Sequence, residues 1–245
     1  MQNRYTGDIG DFSKYLLLRQ LQPTGLSIGV NWYLVPDEKH NSDGRFIQYL
    51  NDEGIVGCDS ELSKELKKII DSENRVASSL EKERILKARY YSEPLDFSGM
   101  SKAERGEFRS RWHADALNYL KGLDIITVDP DNGLIVPSAI ETVKENKYVR
   151  PEELADYYKQ GSSVIYYQHK ARKPDQFYID QHKSLLKSGM FRDAAGLGVK
   201  FTKTSHRYYF FIIQPKHKEL INTTVEEKLA KGLNSLYILI DFEGV

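Results

Sequence analysis

Two short stretches of this chain bring together residue types that do chemistry. The first is Asp129-Pro130-Asp131-Asn132-Gly133, which directly follows the apolar run Ile125-Ile126-Thr127-Val128. Pro130 fixes the chain direction and has no N–H to satisfy, while Gly133 permits a turn that other residues resist. A tight turn would aim Asp129 and Asp131 into one cleft, with the Asn132 amide beside them. Such a group can orient an amine or hold a cation; the same residues also build ordinary strand-to-loop turns. The second stretch is Gly7-Asp8-Ile9-Gly10-Asp11-Phe12-Ser13-Lys14. A helix that starts here exposes free N–H groups, and Lys14 one turn in can reach an anionic group. A capped helix with a solvated lysine has the same spelling.

These residues need a scaffold, and hydrophobic patterning supplies one. Residues 12–21 read as the opening helix with Asp11 as its N-cap. Residues 25–35 (GLSIGVNWYLV) are almost wholly apolar, as expected of a strand buried on both faces of a parallel sheet. Residues 123–128 follow a helical segment at 104–120. Residues 163–168 follow a helix at 151–159, with Pro151 in its first turn and Gly161 past its end. Strand, helix, strand, helix, strand predicts an α/β sheet with right-handed crossovers. The last third differs: residues 198–202 and 207–214 (RYYFFIIQ) flank a short polar gap, which implies a hairpin. A helix at 218–231 and an edge strand at 236–241 close the chain. Residues 41–99 carry Leu and Ile three or four apart at 60–70 and 75–88 and read as a helical insertion in a single α/β domain spanning 1–245.

In such sheets ligands bind at the carboxyl ends of the parallel strands. The informative loops are therefore Pro36-Asp37-Glu38-Lys39-His40-Asn41-Ser42-Asp43-Gly44, the Asp129 turn, and His169-Lys170-Ala171-Arg172-Lys173. The last is a basic cluster that can grip phosphates, extended by Lys200, Lys203, His206 and Arg207 around the hairpin, or a solvated loop. His40 and His169 have side chains that serve as acid, base or ligand.

Composition narrows the class. The 245 residues carry 35 Lys+Arg and 35 Asp+Glu, so the chain is not a generally basic nucleic-acid binder. An apolar fraction of 40% excludes a disordered protein. The lone Cys58 excludes a disulfide framework and any cysteine-built zinc site. No apolar run is long enough to span a membrane. The opening residues lack the blocks of a signal peptide, which predicts a cytoplasmic protein. Trp32 and Trp112 read as core anchors, and oligomeric state is not legible.

A mostly parallel sheet that ends in an antiparallel hairpin is the plan of class I methyltransferases. With the helix opened by Gly7, Asp11 and Lys14 and with Asp129-Pro130 after a central strand, the chain resembles the ribosomal RNA adenine-N6 methyltransferases. The specific relative is the bacterial 23S enzyme family with an Asp-Pro-Pro-Tyr motif. The resemblance implies a Rossmann-like methyltransferase-type fold, S-adenosylmethionine as cofactor and nucleic acid as partner. It implies that Lys14 helps hold the cofactor; on a methyltransferase reading of the chain, Asp11, Asn31 and Asp37 would line the pocket. Asp129, with Asp131, Asn132 and His169 beside it, would orient the target amine. The chain departs from the motif at Asp131 and at Asn132, which stands where the family has its base-stacking aromatic; Tyr166 and Tyr167 are the nearby rings. The glycine-rich turn usual after the first strand is absent.

Two other readings use the same residues. Asp8, Asp37, Asp129 and Asp131 are hard oxygen donors suited to Mg²⁺ or Mn²⁺ in a phosphoesterase or nuclease. Apolar strand, Asp-x-Asp and glycine also resemble the acidic motif of topoisomerase-primase domains, with Glu38 as the upstream acid. The third reading is a non-catalytic binding module on the same scaffold.

Overall fold

The computed structural model describes residues 1–38, 44, 46–72, 75–204 and 206–242. Helix α1 (Ile9–Leu21) is followed by strand β1 (Ile28–Asn31) and by helices α2 (Glu53–Val56), α3 (Ser60–Asp71) and α4 (Ala77–Lys82). Then come β2 (Arg89–Tyr91), α5 (Lys102–Tyr119) and β3 (Ile125–Val128). A small parallel pair, β4 (Gly133–Leu134) and β5 (Tyr148–Val149), precedes α6 (Pro151–Lys159) and β6 (Ser163–His169). Helix α7 (Asp175–Leu186) leads to the hairpin β7 (Ala195–Phe201) and β8 (Arg207–Ile213). Helix α8 (Lys218–Thr224) continues through a π-helical segment, Val225–Lys231, to β9 (Tyr237–Asp241).

The main sheet has seven strands in the order β2-β1-β3-β6-β8-β7-β9. β2, β1, β3 and β6 pair in parallel, and β8, β7 and β9 add three antiparallel pairings. Five strands thus run one way and two the other, a Rossmann-like mixed α/β arrangement. Strand alternation feeds two cores. Val30, Ile165, Tyr209 and Phe211 face α1, α3 and α4, whereas Val128, Val164, Phe210 and Ile212 face α5, α6 and α7. Buried on both faces, the strands are mostly apolar and read as apolar runs, with polar residues such as Asn31, Ser163, Gln168, His169 and Arg207 gathered at their ends.

Local chemistry moves several boundaries. Helix α1 starts at Ile9 rather than at residue 12, and its N-cap is Asp8 rather than Asp11. The Asp8 carboxylate accepts the N–H groups of Gly10 (2.7 Å) and Asp11 (3.1 Å). In the run at 25–35 only Ile28–Asn31 is strand, and Tyr33, at φ 45°, turns the chain out of the ladder. Helices fill much of 53–82, but the same stretch ends in β2, which pairs with β1 in parallel. A helix expected at 75–88 is cut to Ala77–Lys82, and Arg84 at φ 53° marks its end. Helix α7 was not expected. It buries Tyr178, His182 and Leu185, and His182 stacks on Phe210 with ring centres 4.7 Å apart. Burial pushes His182 down to about 3, so it is a neutral core group, hydrogen-bonded to Tyr166 (3.0 Å). Helix α6, the hairpin and β9 fall close to their expected positions. Both tryptophans are buried, and Cys58 is a free, half-buried thiol. No helix among the described residues is long and apolar enough to cross a membrane.

Candidate functional site

The stretches 7–14 and 129–133 meet in space. A cavity of about 460 Å³ lies at the carboxyl ends of β1, β3 and β6, and its wall includes Asp8, Asp11, Lys14, Asp129, Asp131 and Asn132. Lys14 joins them. Its Nζ lies 2.7 Å from Asp11 Oδ1 and 2.5 Å from Asp129 Oδ2, and the side chain is only 4% exposed. Burial alone would lower the lysine's pKa, but Asp11 and Asp129 hold it well above the usual lysine value. Asp11 is fixed in turn by the Gly7 N–H (2.9 Å).

The Asp129 turn is braced from several sides. The Asp129 N–H donates to Asn31 C=O (2.9 Å), so the β1–β3 pairing runs one residue past the strand. The Met1 nitrogen donates to Asp129 C=O (2.9 Å) and lies 3.0 Å from Asp131 Oδ1. Gln2 donates to Asp131 Oδ2, and Lys147 approaches the same oxygen at 3.7 Å. Burial would push the Asp131 carboxyl up, but the Met1 nitrogen, Gln2 and Lys147 hold it below the usual range. Gly133 sits at φ +105°, and a Cβ there would lie 2.3 Å from Gln168 Oε1. That amide stitches the turn together: Oε1 accepts the Leu134 N–H (2.9 Å), and Nε2 donates to Asn132 C=O (3.0 Å) and His169 C=O (3.1 Å).

Other expected site residues divide. His169 lines the cavity, its Nδ1 3.2 Å from the Tyr167 hydroxyl. Tyr167 also lines the cavity, whereas Tyr166 is buried against Phe210. Asn31 is not on the wall. It is fully buried, donating to Tyr157 Oη (3.0 Å) and accepting the Tyr33 N–H (3.2 Å). Asp37 is exposed, accepts the Arg4 N–H (3.1 Å) and is not on the wall. Its neighbour Glu38 is on the wall, paired with Lys147. Lys39, His40, Asn41, Ser42 and Asp43 lie outside the described residues. In the basic cluster, Lys170 and Lys200 both turn to Asp175, while Arg172, Lys173, Lys203 and His206 are exposed. Arg207 does not extend that surface. It is buried and lines the cavity, and Gly10 makes room for it, since a Cβ there would lie 2.3 Å from Arg207 Nη1.

Among the described residues, no three His, Cys, Asp or Glu side chains group as metal ligands. Asp8 caps a helix, Asp37 is exposed, and cationic groups stand against Asp129 and Asp131. Sequence reasoning missed Met1, Gln2, Lys147 and Gln168. Only Gln168 left a signal, as a polar residue near the end of a buried strand.

Asp8 carries a pH dependence. Burial, helped by the Asp11 carboxylate, raises its pKa to about 6 against the pull of Arg207 and the helix N–H groups. Between pH 4 and 6 the folded protein therefore holds a proton that the unfolded chain has lost, and stability falls as pH rises through that window. Asparagine caps a helix as well as aspartate does. The wild type should thus lose on the order of 2–3 kcal/mol relative to Asp8→Asn between pH 4 and 7. Urea denaturation at both pH values measures this, and parallel pH profiles would count against it.

No family model matches the chain, and no curated protein matches it. Among solved structures it is similar to the crystal structure of protein LPL1258 from Legionella pneumophila str. Philadelphia 1, described with the family model DUF519. The two are 10% identical, the match covers 98% of each chain, and the TM-score is 0.49.

Proposed function

We propose that this protein binds S-adenosylmethionine in the cavity and transfers its methyl group to a base amine of a nucleic acid, adenine N6 being the target the resemblance implies. One observation carries the reading. Lys14, which the resemblance gives to the cofactor, is bonded to Asp129, which it gives to the target amine. The mostly parallel sheet with its terminal antiparallel hairpin supports a methyltransferase-type fold.

The donor set suits such a ligand. S-adenosylmethionine combines a carboxylate, an ammonium, a sulfonium, ribose hydroxyls and a flat base. The wall offers Lys14, Lys147 and Arg207 for the anion, Asp8, Asp11 and Glu38 for cations and hydroxyls, and aromatic rings. When bound, the cofactor supplies an electrophilic methyl. The chain's own residues do the positioning. Lys14 fixes Asp129 Oδ2, which leaves Oδ1 to accept an amine hydrogen. Pro130 is on the same wall, and its carbonyl, which accepts no hydrogen bond from the described residues, is the second acceptor. Two acceptors on a rigid turn hold an amine nitrogen in line for attack. Asp131 and Lys147 close the wall around them.

The test is transfer of labelled methyl from S-adenosylmethionine to RNA or DNA, with and without EDTA. The wild type should label nucleic acid regardless of EDTA, and Asp129→Ala should fall by roughly 100-fold or more. Nucleic-acid cleavage dependent on Mn²⁺ with no methyl incorporation would replace this reading with the metal-dependent one.

A further inference from the structure

Most side chains on the cavity wall are charged or carry amides, but Phe46 is also there, with 46% of its surface exposed. Its backbone is not loose. The Phe46 carbonyl accepts the N–H of Ile9, the first residue of α1, at 3.0 Å. Three residues on, Tyr49 packs on Phe12 with ring centres 5.1 Å apart and donates its hydroxyl to Gly7 C=O (3.0 Å). Just before it, Gly44 at φ +83° passes so close to Arg4 that a Cβ would lie 2.3 Å from the Arg4 carbonyl oxygen. The ring is thus carried on backbone fixed to the same helix start that holds Asp8 and Lys14.

A phenyl ring kept at a polar cavity wall leaves apolar surface in water, and a flat partner recovers that cost. Stacking on an aromatic face suits any base and needs no hydrogen-bond match. The two tyrosines of the wall are already engaged: Tyr167 edge-to-face with Tyr209 and through its hydroxyl with His169, and Tyr5 under the Arg4 guanidinium and through its hydroxyl with Gln2. Position 132, where the resemblance expects a stacking aromatic, holds Asn132.

We propose that Phe46 is the stacking platform for an adenine ring in this cavity. The inference rests on the function proposed above, in which adenine has two sources, the cofactor and the target base. Isothermal titration separates them, using S-adenosylmethionine in one arm and a short adenine-containing oligonucleotide in the other. Phe46→Ala should weaken one of the two by roughly 10-fold or more, and Phe46→Leu should behave like it, since an aliphatic chain covers surface without stacking. Phe46→Trp should retain binding and show indole quenching beyond any change in wild type, whose Trp32 and Trp112 are buried. Loss confined to S-adenosylmethionine assigns the ring to the cofactor, and loss confined to the oligonucleotide assigns it to the target. If the wild type binds either ligand and Phe46→Ala and Phe46→Leu match it with unchanged Tm, the platform is refuted and the proposed function stands. If the folded wild type binds neither, both fall together.

Discussion

Lys14→Met should lose about 3–5 kcal/mol of unfolding free energy at pH 7, together with measurable affinity for the methyl donor. The reason is an imbalance of buried charge. Asp11 and Asp129 flank one ammonium at 2.7 and 2.5 Å, in a place nearly closed to solvent. Methionine keeps much of the volume and removes the cation, leaving two carboxylates facing each other without compensation. Desolvating an unpaired charge costs far more than an intact buried pair contributes. The control is a triple variant, Lys14→Met with Asp11→Asn and Asp129→Asn, in which no buried charge is stranded. It should recover most of the stability, because removing all the charges together avoids the penalty, while ligand affinity stays absent. Denaturant titration of the three proteins decides the matter. A single variant within 1 kcal/mol of wild type would mean that the ammonium is not what holds the two acids.

Glu153→Ala should be comparably damaging, with a loss of about 3–5 kcal/mol, although it sits outside the cavity wall. Glu153 lies in the first turn of α6 and receives two bonds from Arg109 of α5, at 2.6 and 2.8 Å. It also accepts the Arg150 N–H (2.9 Å) and the Tyr33 hydroxyl (3.2 Å). Arg109 in turn donates to the carbonyls of Glu145 (2.9 Å) and Tyr148 (2.7 Å). One buried pair therefore ties two helices to the chain that follows the Asp129 turn, and that chain carries Lys147 to Asp131 and Glu38. Removing the carboxylate strands Arg109, which is 1% exposed. Burial would push Glu153 up, but Arg109 holds it below the usual glutamate value. Its contribution is therefore present above the unfolded glutamate pKa and is lost as pH falls toward the folded one. Glu153→Gln keeps the shape and loses the charge, so it should fall between wild type and Glu153→Ala in a urea titration. Equal stability of all three would show that the network is ornamental.

The parts of the site visible in sequence were those with local punctuation. Asp129-Pro130 and Gly133 mark a turn wherever they occur, and Asp8 to Lys14 spell a helix start within one turn. Continuous apolar runs marked β1, β3, β6, β7, β8 and β9, and spacing of three or four marked most of the helices, α7 excepted. Long-range partners left no such mark. Nothing about Lys147 or Gln2 in the sequence says that each will reach Asp131, and Arg207 looks like part of a basic surface until β8 carries it inward against Gly10. Asn31, expected to line the cofactor pocket, ends β1, but its side chain turns into the core and donates to Tyr157. β2 escaped notice because three residues, Arg89-Tyr90-Tyr91, are too few to show a period of two.

The most direct measurement is calorimetric titration of S-adenosylmethionine into folded wild-type protein. Saturable one-site binding is expected, with Kd on the order of 1–100 µM, and it should vanish in the charge-balanced triple variant. A wild type that melts cooperatively yet gives no binding heat at protein concentrations tenfold above that range would contradict the assignment of this cavity.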